Sequence, residues 1–247
     1  MSGQLATSDL PAGYHDVPYV AERLRPRRRA IARNLTAAAA VPSLTADMRV
    51  DLTQLLAVRS QWVGREPSVL AFIAKAAVAT LADFPGLNAS YGDRQLIRWS
   101  TVNLGVAVDS PDGLMVPVIR DAQTLGVDRI AERIADLARR ARSGELELAD
   151  LAGGTFTISN PGAVGPSLRA EALLNVPQVA LLGLPGLRRE PVVVGEGQEE
   201  NVAIRTVLDP SLTFDHRALD GGEVLRYLTS LRDRLESWSL AEYAAGE

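Results

Sequence analysis

Apolar and polar positions along this chain change period several times, and each change marks an element. Pro26 opens Arg27-Arg28-Arg29-Ala30-Ile31-Ala32-Arg33-Asn34-Leu35, which runs into four alanines and stops at Pro42. Proline in the first turn and an alanine-rich interior predict a helix. From 43 to 51, Leu44, Ala46, Met48 and Val50 alternate with Thr45, Asp47 and Arg49, the period of a half-buried strand. A short helix is predicted over 52–63. Residues 67–84 are apolar almost all round (Val69, Leu70, Phe72, Ile73, Ala76, Ala77, Leu81), as in a buried helix.

Strand-like runs follow at 95–99, 101–109 and 114–119. The last two are joined by Ser110-Pro111-Asp112-Gly113, in which proline presets φ and glycine supplies a left-handed residue. Val127, Ile130, Ile134, Leu137 and Ala141 recur at helical spacing, so 125–142 reads as an amphipathic helix. Further strands are predicted at 155–159, 178–184, 192–194 and 202–208. A last helix carries Val224, Leu228, Leu231 and Leu235 on one stripe. Strands and helices are interspersed without regular alternation, repeat or Pro/Gly/Ser-rich linker. This predicts one mixed α/β domain, mostly antiparallel, over 26–238, with an extended arm at 1–25 and a polar tail at 239–247.

Composition narrows the class. At 26.5 kDa and 47% hydrophobic residues the chain can bury a large core. It has no cysteine, which excludes disulfides, thiolate metal sites and a cysteine nucleophile. No apolar run approaches the roughly 18–20 residues that span a bilayer, and no signal-peptide pattern opens the chain. A net charge of −4 argues against a nucleic-acid binder. The expectation is a cytoplasmic domain without metal, membrane or nucleic-acid partner.

The densest chemistry is Phe214-Asp215-His216-Arg217-Ala218-Leu219-Asp220-Gly221-Gly222. His216 is one of two histidines; the other, His15, lies in a polar segment with no apolar periodicity. An imidazole is the usual general base near neutral pH, its ordinary pKa being about 6.5. The plain alternative is a core histidine held by a backbone carbonyl. Against it, Asp215, His216, Arg217 and Asp220 crowd between an apolar strand and an apolar helix, where charges are costly unless paired. Asp220 either orients the base or has its charge held by an arginine. The second is favoured, because the histidine can be fixed by its own backbone, and Arg217 then has a structural part.

A second unusual stretch is Gly153-Gly154-Thr155-Phe156-Thr157-Ile158-Ser159-Asn160-Pro161-Gly162, followed by Gly165-Pro166. It reads plainly as a strand ending in a turn. Chemically, it presents the Ser159 hydroxyl at a strand end, able to donate one hydrogen bond to an oxyanion. No Gly-x-Ser-x-Gly elbow is present, so Ser159 suits a stabiliser better than a nucleophile. Arg23, Arg25, Arg27, Arg28, Arg29 and Arg33 form a third cluster. A solvated helix face or a subunit contact accounts for it more simply than phosphates of a nucleic acid or nucleotide-like cofactor. No Gly-rich phosphate loop or metal-ligand cluster is present.

At these residues the chain resembles the catalytic domain of the dihydrolipoyl acyltransferase component of 2-oxo-acid dehydrogenase complexes. The resemblance runs from about Arg27 to about Glu236. It rests on Arg28-Arg29-Ala30-Ile31-Ala32-Arg33, Lys75-Ala76, Pro85-Gly86-Leu87-Asn88-Ala89 and Val102-Asn103-Leu104-Gly105-Val106-Ala107-Val108. Gly113-Leu114-Met115-Val116-Pro117-Val118-Ile119-Arg120, Gly154 to Asn160 and Asp215 to Gly221 complete it. Seven pieces in the family's order are a specific signature. The resemblance implies a chloramphenicol-acetyltransferase-like mixed sheet with flanking helices, in homotrimers whose active sites lie between subunits. It implies His216 as general base, Ser159 as oxyanion donor and Asp220 as the acidic or amide residue near the base. Coenzyme A is the implied co-substrate.

Three departures shape the expectations. Family members usually carry a lipoyl domain ahead of the core; none is read here, so a lipoyl-borne acyl group is expected in trans, on a lipoyl-bearing or acyl-carrier protein. Ser43 stands where the family often has histidine. The tail from Ser237 to Glu247 lacks the apolar end by which trimers join. A stand-alone biosynthetic enzyme loading a carrier-protein thiol is the alternative function. A non-catalytic scaffold is disfavoured because His216 is kept. Condensation domains of peptide synthetases carry two adjacent histidines and are about twice as long.

Overall fold

The computed structural model describes residues 12–14, 16–111, 113–165 and 167–239. His15, Asp112 of the 110–113 turn, Pro166, the first part of the arm and residues 240–247 of the tail lie outside the described residues. In chain order the elements are α1 (Pro26–Ala39), β1 (Ser43–Asp47), β2 (Val50–Asp51), α2 (Thr53–Arg59), α3 (Val69–Leu81), β3 (Ala89–Gly92) and β4 (Gln95–Arg98). Then come β5 (Leu104–Val106), β6 (Val118–Ile119), α4 (Val127–Ser143), β7 (Phe156–Ser159) and β8 (Ala180–Gly183). β9 (Arg188–Val194), β10 (Asn201–Leu208), β11 (Ser211–Asp215) and α5 (Gly221–Glu236) complete the chain.

The central sheet has the order β1-β11-β8-β7-β5-β6. Its middle pairs, β8 with β7 and β7 with β5, are parallel, and the outer three pairs are antiparallel. Because side chains alternate along a strand, the register sorts them onto two unlike faces. Leu104, Val106, Phe156, Ile158, Ala180, Leu182, Leu212 and Phe214 share one face and belong to the buried core with α3, α4 and α5. Ser68 caps α3, its Oγ accepting from the Ala71 N–H. Phe72 of that helix sits edge-on to Trp62 and to Trp238, each at 5.2 Å, and is fully buried. Full burial of such a side chain contributes about 1.5–3 kcal/mol.

The opposite face carries small and polar side chains. Gly105 lies beside Thr157, Thr157 beside Leu181, and Leu181 beside Thr213. The Thr213 and Thr45 hydroxyls are 3.0 Å apart. Helix α1 runs along this face. Near its start, a Cβ added at Gly113 would lie 3.5 Å from both the Arg28 guanidinium and Ile31. Asn34 donates to the Asn175 side chain at 3.4 Å, and Asn175 donates to Thr157 Oγ1 at 3.5 Å. Past its end, the Pro42 carbonyl accepts from the His216 N–H at 2.9 Å. Apart from Ile31 and Ala38, α1 is exposed along its described side chains.

Several sequence expectations change in extent. The run 43–51 is two strands in two sheets: β1 pairs with β11, and β2 pairs with β10. Period-two alternation continues across the break and cannot show it. Helix 52–63 shrinks to Thr53–Arg59. Runs 101–109 and 114–119 keep only β5 and β6 as ladder, plus an isolated bridge between Val108 and Met115. Strand 192–194 extends back to Arg188, because β10 supplies partners for that whole length. β3 and β11 were not delimited by the pattern, β11 because it is buried at every position and does not alternate.

Candidate active site

His216 follows the last residue of β11. Its backbone is held by Pro42, its ring lies 5.5 Å from the Phe214 ring, and the residue is exposed. The imidazole makes no hydrogen bond among the described residues, so the expected fixing by its own backbone reaches the main chain only. What shapes the turn is Asp215, which is buried. Its Oδ1 accepts from the Arg217 N–H at 2.9 Å and from Arg217 Nε at 3.0 Å, and Oδ2 accepts from the second arm of that guanidinium at 2.7 Å. The Arg217 guanidinium also sits 4.2 Å over the Tyr91 ring. The Asp215 hydrogen bond and charge keep it firmly protonated. A buried carboxylate satisfied in this way pins the residue between its two members, which is His216.

Asp220 does not receive that arginine. Arg217 is committed to Asp215, and the Asp220 side chain makes no hydrogen bond or ion pair among the described residues. Asp220 is the N-cap of α5, its carbonyl accepting from Glu223 and Val224 at 3.0 and 3.2 Å. An exposed carboxylate there faces the positive end of the helix.

Ser159 ends β7. Its carbonyl accepts from the Leu184 N–H at 2.8 Å, while its half-buried hydroxyl makes no hydrogen bond among the described residues. By alternation it shares the small, polar face with Thr157. The loop after it is packed backbone to backbone. A Cβ on Gly162 would fall 2.4 Å from the Pro185 carbonyl, and one on Gly183 would fall 1.9 Å from the Ala170 oxygen. Larger residues at either position would push the loop off the strand end.

Ser159 and His216 are not neighbours within the chain. Ser159 aligns with Gly183, and Gly183 with Ser211, five residues before His216. That is about 17 Å along the strand, at roughly 3.3 Å per residue, before two strand spacings are added. Type and context in the sequence single out both residues as candidates. They miss Asp215 and Tyr91 as the groups that hold the histidine turn; the signal was an aspartate next to the histidine at a strand end.

The model of 2-oxoacid dehydrogenase acyltransferase catalytic domains matches residues 17–242. The chain belongs to this family. It is 39% identical over 203 residues to the dihydrolipoyllysine-residue acetyltransferase component of the pyruvate dehydrogenase complex of Corynebacterium glutamicum, a match covering 78% of this chain and 30% of that protein. It is 34% identical over 229 residues to the succinyltransferase component of the 2-oxoglutarate dehydrogenase complex of Bacillus subtilis, covering 90% and 54%. The chain therefore spans less than two thirds of the length of either relative. Among solved structures, the acyltransferase domain resembles Azotobacter vinelandii dihydrolipoamide acetyltransferase with a TM-score of 0.83 and 31% identity, over 92% of this chain and 96% of that one. That structure was studied for the catalytic role of a serine, a histidine and an asparagine four positions after the histidine. Chloramphenicol acetyltransferase, at 14% identity and a TM-score of 0.50 over 85% and 95% of the two chains, shares the fold. Among the described residues of the acyltransferase domain no helix is long and apolar enough to cross a membrane, and no cluster of ligand residues suits a metal.

Proposed function

We propose that residues 26–238 form a catalytic domain that moves an acyl group between thiols, one of them coenzyme A and the other a dihydrolipoyl or related carrier arm. The observation that carries this is the separation of Ser159 from His216 on one sheet, each with its reactive atoms unengaged. A trimer that sets His216 of one subunit against Ser159 of the next joins them into one site, and a closed cyclic arrangement makes three such sites. Exposed apolar residues support an assembly. Val193 is paired with Val202 and Pro191 with Ile204 on the β9–β10 ribbon, where Val193, Val202 and Ile204 stand 63%, 70% and 56% exposed. The relatives' acyl components belong to multienzyme complexes.

The chemistry follows from two groups. A thiol of ordinary pKa about 8.5 is only a few per cent ionised at neutral pH. An imidazole nitrogen of His216 takes its proton as sulfur attacks the thioester carbonyl. The carbonyl oxygen becomes an oxyanion that accepts a hydrogen bond from the Ser159 hydroxyl. Collapse of the tetrahedral species expels the second sulfur, which recovers the proton from the imidazolium. Asp220, placed four residues after His216 like the asparagine of the Azotobacter enzyme, takes a positioning role.

The test is a transfer assay with acetyl-, succinyl- and branched-chain acyl-coenzyme A as donors and dihydrolipoamide as acceptor. Transfer of at least one acyl group, lost in His216→Ala, supports the reading. A folded trimer that transfers none of them, in either direction, overturns it.

A further inference from the structure

Lys75 is the one charged side chain of helix α3. Among the 26 lysines and arginines of the chain it is also the only lysine. The difference is chemical. A guanidinium stays protonated at any working pH and does not attack a carbonyl, whereas an ammonium that gives up its proton becomes a nucleophile. The chain therefore presents an acyl thioester with a single amine side chain.

The surroundings of Lys75 favour the neutral amine. The residue is half-buried, and its Nζ donates to the Leu125 carbonyl at 2.7 Å, which ties α3 to the segment just ahead of α4. No carboxylate pairs with it among the described residues, in contrast to Arg129 and Arg139 of α4, which hold Glu132 and Asp136. A carbonyl also accepts from a neutral amine, so it gives the charge less support than a carboxylate would. Burial accordingly pushes the Lys75 pKa below the ordinary lysine range. Leu125 also lines a cleft of about 490 Å³ with Arg129, Glu132, Arg133 and Asp136. That volume falls in the roughly 300–1,000 Å³ range of ligand clefts.

We propose that Lys75 is a self-acylation site, whose Nζ takes the acyl group of a thioester such as acetyl-coenzyme A and keeps it as an amide beside the Leu125 cleft. The neutral amine attacks the thioester carbonyl carbon. A C–N bond forms, the C–S bond breaks, the thiolate leaves with the electron pair, and the surplus proton on nitrogen passes to it. The amide keeps one N–H for the Leu125 carbonyl, while the positive charge of α3 is removed. Because α3 packs on the apolar face of the central sheet, the site is separate from Ser159 on the opposite face. The proposal goes beyond thiol-to-thiol transfer and takes from it only the class of acyl donor.

The experiment incubates the native protein with acetyl-coenzyme A and follows the Lys75 peptide by mass spectrometry, with Nα-acetyllysine amide in the same tube as a reference amine. Lys75 should be acetylated at least about tenfold faster than the reference, and unfolding in guanidinium chloride should erase that advantage. Lys75→Arg should lose the mark while keeping its circular dichroism and any acyl transfer to dihydrolipoamide. His216→Ala should be marked as fast as the native protein, so the two readings can fail separately: Lys75 marked in a protein that transfers nothing to thiols removes the proposed function and leaves this site standing. Acetylation no faster than the reference, acetylation indifferent to unfolding, or acetylation lost with His216 overturns the site.

Discussion

Ser159 and His216 stand at opposite ends of one sheet, about 17 Å apart along the strand direction. Their separation is bridged on one face by α1, whose 14 residues span about 21 Å. A site using both residues therefore needs two chains, and a mixing experiment exposes this. A His216→Ala chain still offers Ser159, and a Ser159→Ala chain still offers His216. Co-refolded mixtures should exceed the summed activity of the separate mutants. Additive activity in confirmed mixed trimers would defeat the shared site.

Taken singly, His216→Ala should lower turnover about 10²- to 10⁴-fold. Ser159→Ala should cost about 10²- to 10³-fold, roughly 3–4 kcal/mol of oxyanion stabilisation. Steady-state kinetics on proteins with unchanged circular dichroism decide the matter. Near-full activity in a folded His216→Ala protein removes the assignment.

With no cysteine and no nucleophile elbow, transfer should be direct, through a ternary complex. Initial-rate patterns should intersect. Parallel lines, or an acylated chain seen by mass spectrometry, would show a covalent intermediate instead.

Asp215→Asn keeps the shape but weakens the grip on Arg217, so His216 should lose orientation while the fold survives. We expect kcat to fall at least about tenfold with KM little changed, the mark of a positioning residue. Asp220→Asn should be milder than Asp220→Ala if that residue also acts by position; equal severe losses would point to its charge.

Asp209 supplies a pH test away from the site. Burial pushes its carboxyl up, but hydrogen bonds and charge from Arg49 and Arg188 outweigh burial and hold it below the ordinary carboxylate range. Those arginines also reach Glu190, at 3.2 and 2.8 Å. A carboxyl lowered on folding contributes stability that is complete above its unfolded value, about 3.9, and lost as pH falls through the folded one. Asp209→Asn should therefore lower the melting temperature at pH 7 by a few degrees and flatten its decline as pH falls below about 4. An unchanged acid limb would show the network to be neutral.

What the sequence determined by itself is local. Helical spacing at Val127, Ile130, Ile134, Leu137 and Ala141 defined α4 almost to its ends, because a buried stripe must recur every 3.6 residues wherever the helix lies. The motif residues around 159 and 216 named the family and singled out the proposed reactive groups, since the residue type alone decides what can take or donate a proton. Tertiary structure decided what depends on partners far along the chain. One alternating run became β1 and β2 because Asp47 met Ser211 while Val50 met Leu208, in different sheets. Arg217 went to Asp215 rather than Asp220 because β11 buries Asp215 and leaves Asp220 at a helix end in water. And only cross-strand register set Ser159 against Ser211, far from the histidine: period-two alternation says which face a side chain takes, whereas pairing says which end of the sheet it occupies.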